Sequence, residues 1–150
     1  MSAGPPRPRP KLHLHNHHPG RKLPLRWLKQ VAQAAIPRCQ KAACSAEAPL
    51  LHLQEVEVSL VSDDDIARVH GEFLNDPTPT DVITFHHGEI LVSTDTAARQ
   101  GNEHGQDIAR ETALYIVHGL MHLGGWDDHE PAEAAQMTRL QEQILKECLP

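Results

Sequence analysis

Three observations set the expected fold class. Runs of period two alternate with apolar residues at helical spacing in the order βαβαββααα. Two neighbouring strands are separated only by a short turn, and no internal repeat divides the 150 residues. This order predicts an α+β domain, a single small fold with a roughly four-stranded mixed sheet packed by about five helices. A chain of this length supports one core.

The elements follow in order. Residues 1–10 are Pro-rich and basic and predict a disordered lead-in, leaving 11–150 as the folded domain. Leu12-His13-Leu14-His15 alternates as a short edge strand does. Pro24 suits the first turn of a helix, and Leu25, Leu28, Val31, Ala32, Ala35 and Ile36 recur at helical spacing. Pro37 is expected to end or kink that helix. Leu51 to Val61 reads as the next strand, marked by alternating Val56, Val58 and Leu60. Ser62 then offers an N-cap, Asp65 the capping-box position, and the acids 63–65 suit a helix N-terminus. That helix carries Ile66, Val69 and Phe73 and ends in the turn Asn75-Asp76-Pro77-Thr78-Pro79. Asp81 to Phe85 and Glu89 to Ser93, joined through His86-His87-Gly88, predict a hairpin. A short helix from Thr94 to about Arg99, a polar loop, a helix from about Asp107, and a last helix from Glu130 to about Glu147 complete the chain.

Composition excludes several classes. The net charge of −6 is wrong for a generally basic protein that coats nucleic acid, so any RNA contact must come from a local patch. No apolar run approaches the ~20 residues of a membrane span. Met1-Ser-Ala-Gly-Pro-Pro-Arg-Pro does not read as a secretory signal. The three cysteines lack zinc-ribbon spacing and predict free thiols in a reducing cytoplasm. His13, His15, His17 and His18 read as strand or tail surface.

The chemistry concentrates in His118-Gly-Leu-Met-His122-Leu-Gly-Gly-Trp-Asp-Asp128-His129. Residues four apart on a helix stand one above the other, so His118 and His122 can reach one ion. Gly124-Gly125 stops the helix and lets the chain fold back with an acid and a further histidine. Three protein ligands with an open fourth position is the catalytic zinc pattern, here at the C-terminal end of a helix. The metallopeptidase motif His-Glu-x-x-His places its general base directly after the first histidine. This chain has Gly119 there, which argues against a peptidase and for a hydrolase relying more on the metal or on its substrate.

The segment His118 to Asp127 resembles the His-Gly-x-Leu-His-Leu-x-Gly-Tyr-Asp-His signature of the YbeY endoribonucleases, the ribosomal-RNA maturation factors. Pro79-Thr-Asp-Val-Ile-Thr-Phe85 resembles that family's Pro-Thr-Asp-Val-Leu-Ser-Phe strand, and Gly88-Glu-Ile-Leu-Val-Ser93 its Gly-Asp-Ile-x-Ile-Ser strand. The terminal helix, with Met137 and Gln141 to Leu145, is similar too. These matches run from about Leu51 to the end. The resemblance implies a single-strand-specific, zinc-dependent endoribonuclease with one Zn²⁺ per chain. It implies action on ribosomal RNA at the small subunit, in late 16S 3′-end maturation and ribosome quality control, in a bacterial cytoplasm. Neither DNA nor a membrane is an expected partner.

Two departures stand out. The family's third histidine falls ten residues after the first, where this chain has Asp128, with His129 one beyond. The ungapped match favours Asp128 as third ligand, and a one-residue loop adjustment would bring in His129 instead; carboxylate is an acceptable zinc ligand. The family's arginine before Pro-Thr-Asp is also missing, and an ungapped match puts Leu74 there. Arg68, Arg110 and Arg139 are substitutes whose plain reading is solvated surface. Asp81, Asp127 and Glu89 have structural roles available as strand anchor, turn cap or support for a ligand imidazole, and no side chain is assigned a direct catalytic role. Two other readings stay open: a non-catalytic ribosome-assembly factor with a structural zinc, and a metallopeptidase-like hydrolase.

Overall fold

A computed structural model describes residues 9–150, so the lead-in read for 1–10 lies outside the described residues except for Arg9 and Pro10. The elements are β1 (Lys11–Asn16), α1 (Leu25–Lys41), a 3₁₀ turn (Pro49–Leu51), β2 (Glu55–Val61), α2 (Asp63–Leu74), β3 (Val82–Phe85), β4 (Glu89–Ser93), α3 (Thr94–Glu103), α4 (Ile108–Leu123) and α5 (Pro131–Cys148). The sheet order is β1-β2-β4-β3. β1 and β4 run parallel to β2, and β3 is antiparallel to β4, giving the mixed four-stranded sheet the sequence predicts.

Side-chain alternation decides what each face holds. Val56, Val58 and Leu60 of β2 are fully buried, while Glu55 and Glu57 point to solvent. Leu12, Ile90 and Val92 join the buried face, which packs under α1 and α4. Leu91, Ile83 and Val61 face the other way and close a smaller cluster with Ile66 of α2. β4 is therefore buried on both faces, which is why Ile90, Leu91 and Val92 form an unbroken apolar run. Each of these side chains contributes roughly 1.5–3 kcal/mol relative to exposure. α4 packs against α1, α3, α5 and two strands, and its buried residues lie all round the helix axis.

The structure corrects three local readings. Pro37 does not end α1, which continues to Lys41. Ile36 and Cys39 on either side of it are buried in the core and hold the last turn in place. α3 runs past Arg99 to Glu103 because Gly101 lets the 106–107 turn and Glu111 come close; a Cβ there would lie 2.9 Å from the Gln106 carbonyl. Leu51 belongs to the 3₁₀ turn, and β2 starts only at Glu55. Ser62 caps α2 as expected, accepting from the Asp65 N–H at 3.1 Å.

Of the N-terminal histidines, His15 and His17 are exposed with rings 5.9 Å apart, and His13 lies 3.4 Å from Glu55. His18 is bound to Asp95 at 2.9 Å. The cysteines are free, with Cys39 and Cys148 buried and Cys44 exposed. Among the described residues no helix is long and apolar enough to cross a membrane.

Candidate metal centre

α4 carries the first two site residues on its last turn and a half. Its start is fixed by Asp107, whose side chain accepts from the Arg110 N–H at 2.8 Å. Its end is fixed by backbone bonds that turn the chain back: Gly125 N–H to the His122 carbonyl at 3.0 Å and Trp126 N–H to Met121 at 3.1 Å. Gly125 sits at φ +92°, a left-handed conformation that glycine alone adopts without strain. The Trp126 indole N–H then donates to the Ala42 carbonyl at 3.0 Å, anchoring the turn to the end of α1. The Asp127 N–H donates to Glu133 at 3.0 Å, anchoring it to α5.

This turn places Asp128 over the histidine pair. The Nε2 atoms of His118 and His122 are 3.0 Å apart, and Asp128 Oδ2 lies 3.7 Å from the first and 3.9 Å from the second. The three ligand atoms all lie within 4.8 Å of one another and could hold a metal ion. A tetrahedral ion bound at ~2.0–2.1 Å separates its ligand atoms by ~3.3 Å, so the set is within about half an ångström of what zinc requires. His129 is placed differently. Its ring is 87% exposed and lies 3.4 Å from Asp127 Oδ1, and with Asp127 and Asp128 it makes a second, exposed group that could hold an ion.

The opposite ring nitrogens explain why these lone pairs converge. His122 Nδ1 donates to the Trp126 carbonyl at 2.9 Å, and His118 Nδ1 to Gln141 Oε1 at 2.7 Å. With a hydrogen on each Nδ1, both Nε2 atoms present lone pairs to the same point. Two lone pairs facing at 3.0 Å repel unless a cation lies between them. Burial, and next the neighbouring His118, hold the His122 imidazole below its ordinary range, favouring the neutral form a metal needs.

Gly119 has a packing reason as well as a chemical one. A Cβ there would stand 2.7 Å from Ile90 Cγ2 and 3.2 Å from Thr84 Oγ1, so α4 crosses the sheet at this point. The position faces the strands, and a side chain on it has no room.

The other candidates take structural positions. Asp81 Oδ1 accepts from the Val82 N–H at 2.8 Å and anchors the start of β3. Asp127 Oδ1 accepts from the His129 N–H at 3.1 Å and caps the turn. Glu89 pairs with His87 at 3.8 Å on the hairpin. Arg68 lies on the exposed side of α2 beside Asp65, at 3.5 Å, and Arg139 is exposed on α5. Arg110 is held by Glu142 at 3.3 Å. A groove of about 510 Å³ opens beside the site, walled by His70, Thr80, Thr84, His86, His122 and Asp128 among others. Among the described residues no arginine or lysine lines it.

Gln141 is the site residue that motif reading passes over. Beyond its place in the terminal-helix stretch that resembles the family, its sequence signal is that a polar residue occupies the row Met137, Gln141, Leu145, whose other two members are buried.

Residues 14–149 match the family described as Endoribonuclease YbeY. The chain belongs to the YbeY endoribonuclease family. The YbeY match takes in the second half of β1 and all of α1, well beyond the stretch from Leu51 that the motifs cover. A relative named endoribonuclease YbeY from Salinibacter ruber is 29% identical over 162 residues, covering 97% of this chain and 97% of its own. Another of that name, from Heliobacterium modesticaldum, is 33% identical over 117 residues, covering 63% of this chain and 70% of its own. A solution structure of a protein from Thermotoga maritima has a TM-score of 0.61 over 91% of this chain and 88% of that one, at 23% identity, which shows the shared fold.

Proposed function

We propose that the protein is a zinc-dependent endoribonuclease that cuts single-stranded RNA, acting in late 16S ribosomal RNA 3′-end maturation and ribosome quality control in a bacterial cytoplasm. The observation that carries the metal reading is the convergence of His118 Nε2, His122 Nε2 and Asp128 Oδ2 on one point. The family and the names of the relatives support the RNA-cleaving part.

His118, His122 and Asp128 would hold one Zn²⁺, three protein ligands being the number a catalytic zinc uses. When bound, zinc supplies Lewis-acid polarisation of a phosphoryl oxygen and stabilises the charge that develops there. Gln141 and the Trp126 carbonyl hold both imidazoles in the Nδ1–H form and fix their planes. Asp128 would offset one unit of a bound ion's charge, which would soften its polarising power relative to three histidines. Gly119 supplies no general base, so a peptidase mechanism lacks its carboxylate.

A second reading is favoured by the missing cations of the groove: an assembly factor on the small ribosomal subunit whose zinc is structural. Zinc content and cleavage of a single-stranded RNA, measured on wild type and His118→Ala from nuclease-free preparations, separate the two. The nuclease reading expects about one zinc per chain and cleavage that is lost in the variant. Full zinc occupancy with no cleavage above the variant's background would establish the assembly factor instead.

A further inference from the structure

We propose that a second, polar cavity on the far side of His118 seats a nucleotide of the RNA strand whose phosphodiester lies at the metal centre. The inference rests on the RNA-cleaving reading above. The cavity has a volume of about 880 Å³, within the range of small-molecule sites, and lies between α3, α4, α5 and residues 79–81.

Two residues join it to the metal centre. Gln141, which accepts from His118 Nδ1, forms part of its wall. Thr80 lines both this cavity and the groove at His122. Arg110 at the far end stands about three turns of α4 before His122, or ~18 Å at 1.5 Å per residue. A strand stacked at ~3.4 Å per base covers that distance with about five nucleotides.

The chemistry of the lining fits a nucleotide. Binding of single strands draws on cations that meet the phosphates, and among the described residues the groove beside the metal centre offers none that is permanently charged. The cavity does: Arg110, with its side chain 20% exposed, and Lys146, which is exposed on α5, both line it. Glu142 meets only one guanidinium nitrogen of Arg110, at 3.3 Å, which leaves other donors of the fork for a phosphate oxygen. Beneath these cations the wall is polar, with Glu111 and Tyr115 its buried members. The Glu111 side chain is only 4% exposed, Tyr115 is hydrogen-bonded to it, and His104 Nδ1 lies 3.8 Å away. Cations above buried donors and acceptors match a phosphate joined to a ribose and a base edge.

The test uses the full, zinc-loaded chain and a fluorescein-labelled single-stranded RNA of about twelve nucleotides. Binding is read by anisotropy across a salt series. The double variant Arg110→Ala/Lys146→Ala is expected to bind about tenfold more weakly, with the slope of log K against log salt shallower by ~0.7 for each phosphate left without its cation. Its zinc content should be unchanged. Arg139→Ala, a cation outside the cavity, should bind as wild type does. Glu142→Gln removes the ion pair and keeps the cation, so its binding should hold; equal weakening there would mean Arg110 acts only on the fold and would overturn the proposal. Wild-type affinity and slope in the double variant would also overturn it, while wild-type cleavage would leave the nuclease reading standing. A fully zinc-loaded wild type that neither binds nor cuts RNA would remove both.

Discussion

Gln141 Oε1 lies 2.7 Å from His118 Nδ1, a contact between α5 and α4 made across 23 positions of sequence. It fixes which ring nitrogen faces the ion, and removing such a supporting bond costs roughly 10–100-fold in metal affinity. Gln141→Leu is therefore expected to weaken zinc by that order, measured by competition with a chromophoric chelator. Gln141→Glu keeps an acceptor and should retain most of the affinity. Equal weakening in the two variants would assign the residue to packing alone.

The third ligand is testable by the same titration. Asp128→Ala should lose zinc affinity, because its carboxylate is the one within 4 Å of both Nε2 atoms. His129→Ala should leave affinity near wild type, since that ring points to Asp127. The reverse pattern would mean the turn rearranges by one residue when the ion binds.

Gly119→Ala tests the crossing of α4 over the sheet. The new Cβ would sit 2.7 Å from Ile90 Cγ2, an overpacking that costs ~1–3 kcal/mol, read from urea denaturation midpoints. Combined with Ile90→Ala, the two destabilisations should sum to less than their separate values, because the clash partner has gone. Strict additivity would place the strain elsewhere.

A pH dependence follows from the two acids at the starts of α2 and α3. Asp63 Oδ1 accepts from Ser93 at 2.6 Å and Thr96 at 2.8 Å, and its Oδ2 from Arg99 at 2.6 Å. Asp95 accepts from the Asp63 N–H at 2.9 Å, from His18 at 2.9 Å and from Arg21 at 3.0 Å. Partial burial pushes both carboxyls up, and these donors outweigh it, holding both below the ordinary carboxylate range. A depressed folded pKa means the unfolded chain takes up protons first. The stabilisation is present above an unfolded pKa of about 3.9 and is lost as pH falls below that value through the depressed ones. Urea midpoints taken from about pH 5 to about pH 2 should fall steeply for wild type and less so for Asp95→Asn. Parallel curves would show that the network contributes no pH dependence.

Much of the fold could be read from residues. Alternation in Val56, Val58 and Leu60 gave β2 its inward face, and Ser62 marked the start of α2. Two helices run on where local signals suggest an end, α1 past Pro37 and α3 past Arg99, because core packing outweighs those signals. At the site, His118 and His122 were legible because a helix turns spacing into proximity. Asp128 over His129 was only favoured by register, because a turn of this kind has no periodicity that fixes which side chain faces the helix. Gln141 was hidden because its contact is tertiary, and no local rule relates α5 to α4.

The two kinds of support under the metal centre also bear on time. His118 and His122 ride on a buried helix, whereas Asp128 stands 45% exposed on a turn tied down at Trp126 and Glu133. Local opening of such a turn would free the carboxylate while both imidazoles stay in place on the helix. Opening a few surface residues needs far less free energy than unfolding a buried helix, so the carboxylate position would exchange more readily than the two histidines. The same division lets the third position change between carboxylate and imidazole without disturbing the core.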